Sequence, residues 1–205
     1  MFYQSRQTLK HTLALELRRL RYGRPQHKVF CVGFQKTGTT SLQYALSLLG
    51  YRVAGVFSVK DLDDFNQVRF RALDLIQNFD AAGDNPWSVL FRDLDVAFPG
   101  SKFILTTRAP DRWHASACEH FGAGGSRMRE WVYGAASPEG NRAAYVDRLE
   151  QHTAEVRAHF AGRSADFMEF DVAKGDGWNK LCSFLSKPMP RHDFPRLNTA
   201  AMRGR

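Results

Sequence analysis

The run KVFCVGFQKTGTTSLQYALSLLG, residues 28–50, constrains this chain more than any other stretch. It opens on a short apolar segment, Val29 to Val32, that reads as a buried parallel strand. The turn FQKTGTT follows, framed by Gly33 and Gly38. SLQYALSLLG then carries apolar residues at helical spacing, with Gly50 as a C-terminal stop. Strand, glycine-framed loop and helix in that order build an anion cradle. Loop and helix N-terminal N–H groups converge on one spot, and the helix dipole favours negative charge there. Lys36 adds a full positive charge, and Thr37, Thr39, Thr40 and Ser41 add hydroxyl donors. An ordinary βα turn that happens to be rich in Gly and Thr would not need this order of groups.

The spacing narrows the phosphate chemistry. A nucleoside triphosphatase loop reads G-x-x-x-x-G-K-[ST], with its lysine directly after the second glycine. Here Thr39 follows Gly38, and Lys36 stands two residues before it. The loop is therefore built for an anion but departs from the triphosphate pattern.

With 205 residues, the chain is long enough for one domain with a sizeable core. No apolar run approaches the ~20 residues of a membrane span, and no apolar core with a small-residue cleavage site follows the basic N-terminus. Cys31, Cys118 and Cys182 are few, odd in number and far apart, so a reduced cytoplasmic protein without a cysteine metal centre is expected. The net charge of +8 is uneven: residues 1–28 hold seven Lys/Arg against Glu16 alone, and residues 187–205 hold five against Asp193. Basic termini on a near-neutral body do not make the basic stripe of a nucleic-acid surface. They suit a polyanionic small molecule, or are simply solvated.

Alternating strand and helix patterns predict an α/β domain of three layers with a mostly parallel central sheet flanked by helices. Residues 7–22 form an amphipathic helix with Leu9, Leu13, Leu17 and Leu20 on one face. A helix docked on the domain is expected there, and a weak membrane-surface contact is the alternative. Strands are expected at 51–57, 79–84, 102–108 and 165–171. Helices are expected at 60–77, beginning among Asp61, Asp63 and Asp64, then from Pro86 to about Ala97, from Pro110, over 141–160, and from Trp178 to near Leu185. FGAGGS (121–126) reads as a loop, and KPMPRHDFPRLN as an irregular tail.

A second constellation runs from KFILTTR (102–108) into the next helix. Arg108 stands at the C-terminal end of a buried strand, the edge where open α/β sheets bind ligands. Ser116 lies about two turns into that helix. Guanidinium and hydroxyl together can clamp a phosphate, although a surface ion pair and a helix serine would account for the two residues taken alone.

K-[TS]-G-T-T and R-x7-S, in this order and about 70 residues apart, resemble the 5′-phosphosulfate and 3′-phosphate sites of sulfotransferases that use 3′-phosphoadenosine 5′-phosphosulfate (PAPS). GWNKLCSFLSKPMPRHDFPRLN (177–198) is similar to the ending of that family. The resemblance spans 28–198 and is closest to the small bacterial-type members. It divides the chain into a basic N-terminal helix or extension (1–27), a sulfotransferase-like domain (28–198) and a basic tail (199–205). It departs from the K-S-G-T-T-W signature of the phenol and steroid enzymes, with Thr37 for Ser and Ser41 for Trp.

The resemblance implies a P-loop, nucleotide-binding transferase. Gln35, Lys36, Thr37, Gly38, Thr39, Thr40 and Ser41 would hold the 5′-phosphosulfate, and Arg108 and Ser116 the 3′-phosphate. PAPS would be the donor substrate, no metal is expected, and a hydroxyl or amine acceptor, small molecule or carbohydrate, would receive the sulfuryl group. Nucleic acid is not an expected partner. Lys36 would also serve catalysis at the leaving phosphate.

For the base that takes the acceptor proton, Asp84 is the first candidate, at the end of the strand after Phe79; His120 is the second and His114 the third. Trp87, Phe121, Trp131 and Tyr133 are candidates for an acceptor platform, against ordinary core packing. His152, His159, Glu169 and Asp171 read as structural or solvated. Two other functions remain open: a small-molecule or nucleotide kinase using ATP and Mg²⁺, and a non-enzymatic polyanion-binding module.

Overall fold

The computed structural model describes residues 2–57, 59, 62 and 64–197, with side chains from residue 12 onward. Asp61, Asp63, Asn198 and the tail 199–205 lie outside the described residues. Five strands, β1 (Val29–Cys31), β2 (Val53–Ala54), β3 (Ala81–Gly83), β4 (Lys102–Thr106) and β5 (Phe167–Phe170), form one sheet in the order β2-β3-β1-β4-β5. Every pairing is parallel, with Val29 opposite Ala81 on one side and Lys102 on the other. Among the described residues eight helices surround it: α1 (Phe2–Tyr22), α2 (Thr39–Leu48), α3 (Phe65–Leu75), α4 (Phe91–Ala97), α5 (Pro110–Phe121), α6 (Arg127–Tyr133), α7 (Arg142–His159) and α8 (Trp178–Leu185).

Three layers follow from the period of two along the strands. Val29, Cys31 and Ile104 point to one face and meet Leu42, Ala45 and Leu46 of α2 with Leu181 and Cys182 of α8. Phe30, Val32, Phe103 and Leu105 point to the other and meet Ala72 of α3, Leu94 of α4 and Val156 of α7. Fully burying a phenylalanine such as Phe30 or Phe103 contributes roughly 1.5–3 kcal/mol, so this double-sided burial fixes β1 at the centre. A third apolar cluster joins Phe34 to Trp113 of α5, Val132 and Tyr133 of α6 and Tyr145 of α7, and so holds the loop after β1 against three helices.

The expected α/β sheet is present and wholly parallel. The second strand is shorter than 51–57, and the helix expected over 60–77 is α3 followed by a 3-10 turn over Ile76–Asn78. Asp64 caps α3 by accepting from the Gln67 N–H. The helix expected from Pro86 begins as a 3-10 turn, Trp87–Leu90, before α4. The pattern did not predict α6, which is seven residues long and stopped by Gly134 in the left-handed region. Among the described residues no helix is long and apolar enough to cross a membrane.

Candidate active site

β1 lies between β3 and β4, so the ends of these three strands feed one rim of the sheet. Gly33 turns the chain out of β1 at closest approach to β4: a Cβ there would stand 2.1 Å from Thr106 Oγ1 and 2.4 Å from the Thr106 carbonyl oxygen. Gly38, at φ 111°, closes the loop as the N-cap of α2 and has no side chain to cap the helix. The first helical bond there runs from the Leu42 N–H to the Gly38 carbonyl, 3.1 Å, and the N–H groups before it have no intrahelical acceptor.

The carbonyls of the loop are held one after another. His152 Nε2 donates to Val32 O at 2.7 Å, the Thr37 hydroxyl to Phe34 O at 2.6 Å, Trp113 Nε1 to Gln35 O at 2.7 Å and Arg108 Nη1 to Lys36 O at 3.0 Å. In a trans peptide the N–H points opposite to the C=O. Anchoring the Phe34 and Gln35 carbonyls therefore turns the Gln35 and Lys36 N–H groups the other way. Lys36 itself has φ 69°, uncommon for a residue with a side chain.

Asp84 mirrors Lys36 across the rim. It follows β3, and its φ of 74° is also left-handed. Burial pushes its carboxyl up to about 6, against the opposing pull of hydrogen bonds from the Asn85 N–H, Gln35 and Thr39 and of the Lys36 charge. The Asn85 N–H donates to Asp84 Oδ1 at 2.9 Å.

These groups line one cleft of about 710 Å³, with Gln35 through Ser41, Asp84 and Arg108 on one side. Val56, Phe121 and Met128 give it apolar wall, and Glu119, His120 and Arg129 polar wall. Arg196 and Leu197 complete it, because the Leu197 N–H donates to Ser41 Oγ at 2.9 Å and lays the C-terminal segment across the start of α2.

The structure thus brings together the loop, Arg108, Asp84 and His120. It gives two hydroxyls other work. Thr37 bonds Phe34 O and shares a 2.6 Å hydrogen bond with Thr106 Oγ1, so its side chain shapes the loop, and Ser41 anchors Leu197. Ser116 is 5% exposed on α5 and is not among the residues lining the cleft. His114 bonds the Pro138 carbonyl instead, at 3.0 Å.

Of the aromatic candidates, Phe121 lines the cleft. Trp87 is core and donates to Gly55 O, Tyr133 stacks on Tyr145, and Trp131 packs edge-on to Phe65. Glu169 is paired twice to Arg157, and Asp171 accepts from the Ala173 and Lys174 N–H groups, both structural roles. His159 bonds Asp95. The sequence reading missed Arg196 as a wall of the cleft and His152 as a prop for the loop. The family-like ending 177–198, which contains Arg196, was the signal for the first, and the helical spacing of α7 offered none for the second.

A central-strand anion cradle with a guanidinium bonded to its backbone, on a parallel three-layer sheet, defines an α/β domain of the phosphate-loop type. A family model described as a sulfotransferase domain matches residues 28–139 and 119–203, and the chain belongs to that family. Its general chemistry is sulfuryl transfer. "Ava biosynthesis cluster protein M" of Aspergillus versicolor is 22% identical over 230 aligned residues, covering 84% of this chain and 81% of that protein.

Proposed function

We propose that this enzyme moves a sulfuryl group from PAPS to a hydroxyl or amine of a small acceptor, releasing 3′,5′-ADP. The observation that carries the reading is the row of four anchored carbonyls from Val32 to Lys36, the last held by Arg108. It presents N–H groups, Lys36 and a guanidinium to one cleft, as a donor with two separate phosphate groups requires.

The acceptor oxygen attacks sulfur, the bond from sulfur to the 5′-phosphate oxygen breaks, and the acceptor proton goes to the Asp84 carboxylate. Lys36 and the loop N–H groups meet the charge that grows on the leaving phosphate. A carboxyl raised to about 6 is ionised at neutral pH yet basic enough to accept a proton. Arg108 holds the 3′-phosphate, and Arg196 adds positive charge to the same mouth. A cleft of this volume suits a nucleotide with a small molecule beside it. That the Aspergillus versicolor relative is named for a biosynthesis cluster supports a small-molecule acceptor. Three free cysteines, two of them buried, favour a cytoplasmic setting.

Calorimetry with 3′,5′-ADP tests the donor site. Lys36→Ala and Arg108→Ala should each weaken binding at least tenfold, and unchanged affinity in both overturns the assignment. A larger thermal shift with ATP and Mg²⁺ than with 3′,5′-ADP in EDTA would favour the kinase alternative instead.

A further inference from the structure

Helix α1 is mounted the wrong way round for an ordinary amphipathic helix. The sequence pattern predicts that its leucines seek the domain. Instead its polar side docks: Arg18 Nη1 donates to Ser47 O at 3.1 Å, Arg19 Nε donates to Gly50 O at 3.2 Å, and Arg19 Nη2 pairs with Asp80 at 2.7 Å. Tyr22 is buried at the end of the helix, and Lys187 fastens the segment after it by donating to Tyr22 O and Arg24 O, each at 3.0 Å.

Leu13, Leu17 and Leu20 are left 62%, 57% and 83% exposed. At about 100° per residue these three positions fall within an arc of about 60°, with Arg18 and Arg19 on the far side of the helix. Single exposed leucines are unremarkable, but a continuous stripe of them marks a contact surface.

Charge selects the occupant. Residues 1–28 carry seven Lys/Arg against one Glu. Arg18, Arg19 and Lys28 bond the domain and Arg24 pairs with Glu16 at 2.8 Å, while Arg21 is exposed at the C-terminal end of the stripe. A second copy laid on this face would bring two such basic segments together, whereas an anionic lipid surface complements them. We propose that α1 rests flat on an anionic membrane surface, with Leu13, Leu17 and Leu20 in the boundary between headgroups and acyl chains. The residues that hold α1 (Ser47, Gly50, Asp80) precede β2 and β3, whereas the cleft is built from segments that follow β1, β3 and β4. Membrane contact therefore occupies the rim opposite the cleft.

The test is sedimentation of the full chain with vesicles of phosphatidylcholine containing roughly 30 mol % phosphatidylserine, against phosphatidylcholine alone. Binding to the anionic vesicles should weaken as ionic strength rises. The triple variant Leu13→Ser, Leu17→Ser, Leu20→Ser should lose binding by about a thousandfold, at roughly tenfold per leucine, with an unchanged melting curve because the three side chains are exposed. In a separate variant, Leu17→Trp should show a blue-shifted fluorescence maximum on adding anionic vesicles. Equal partition of wild type with both vesicle types, wild-type binding by the triple variant, or an unshifted Trp spectrum overturns the proposal. So does a dimer in light scattering that the triple variant turns into a monomer, since the leucines would then be covered by a second copy.

Discussion

Replacing Asp84 by asparagine should make the protein more stable and nearly inactive. The carboxyl is raised from 3.8 to about 6, with burial the leading cause. Because its folded value lies above its unfolded value, the folded state holds the proton more tightly through that window. Stability from this group is greatest at acid pH, falls as pH rises from about 4 to about 6, and stays low above. Roughly two pK units correspond to about 3 kcal/mol of penalty at neutral pH. Asparagine keeps the shape, tolerates the left-handed backbone better than most residues and carries no charge to desolvate. Its amide accepts less strongly from the Asn85 N–H, Gln35 and Thr39, which reduces the gain to about 1–3 kcal/mol. For a chain of this size that is a rise in Tm of about 2–10 °C at neutral pH. Near pH 4 the gap should shrink to less than about 1 kcal/mol. Thermal melts across this range, beside PAPS turnover, are the assay. Turnover should fall by about 10²–10⁴, and wild-type kcat/KM should decline on the acid side near pH 6. An Asp84→Asn variant that melts lower than wild type by the same margin at both pH values would refute the desolvation reasoning. A higher Tm with turnover intact would spare it but remove Asp84 as the base.

The loop itself gives two more expectations. His152→Phe keeps a ring against Phe34 but leaves the Val32 carbonyl without its donor. It should cost about 1–3 kcal/mol in melts and weaken 3′,5′-ADP in calorimetry. Burial pushes the imidazole down to about 4, so His152 is neutral in the folded protein, and the wild type loses stability from this group as pH falls from about 6.5 toward 4. The phenylalanine variant lacks that loss. Gly33→Ala would place a methyl 2.1 Å from Thr106 Oγ1 and against the Thr106 backbone. Its cost lies at or beyond the top of the ~1–3 kcal/mol typical of overpacking, and soluble yield should collapse.

What could be read from sequence was local. The cradle lies within one strand, one turn and one helix start, so its order of residues carries its geometry. Arg108 follows a five-residue buried strand, and parallel topology then places it beside the loop. Contacts between distant segments left no trace. Ser41 meets Leu197 from 156 residues away and Val32 meets His152 from 120, and neither spacing has a period that could announce it. α6 is too short to show helical periodicity and is fixed by tertiary packing of Val132 and Tyr133. For α1 the pattern located the helix, and the helix is docked on the domain as expected, but the docking face is not the leucine face. Apolar periodicity locates a helix face, but three arginine contacts to backbone carbonyls and Asp80 decided which face turned inward.

Lys36 and Asp84 are two of the three described non-glycine residues with positive φ, and both stand at the cleft, one after β1 and one after β3. Each such backbone costs of order 1–3 kcal/mol and persists only where its surroundings over-determine it. Around Lys36 the surroundings are the bonds from His152, Thr37, Trp113 and Arg108; around Asp84 they are Asn85, Gln35 and Thr39. Trp113, Phe34 and Tyr133 in turn belong to one apolar cluster, so the packing of α5, α6 and α7 holds the loop in its strained form. Opposite charges are thereby held on facing strand ends in a partly desolvated cleft. Burial raises the carboxyl, and the hydrogen bonds from the Asn85 N–H and Gln35, then the Lys36 charge, pull it back toward about 6. Removing Lys36 would therefore do more than subtract a phosphate contact. It would leave Asp84 more protonated at neutral pH, so the loss of donor binding and the loss of the base should arrive together.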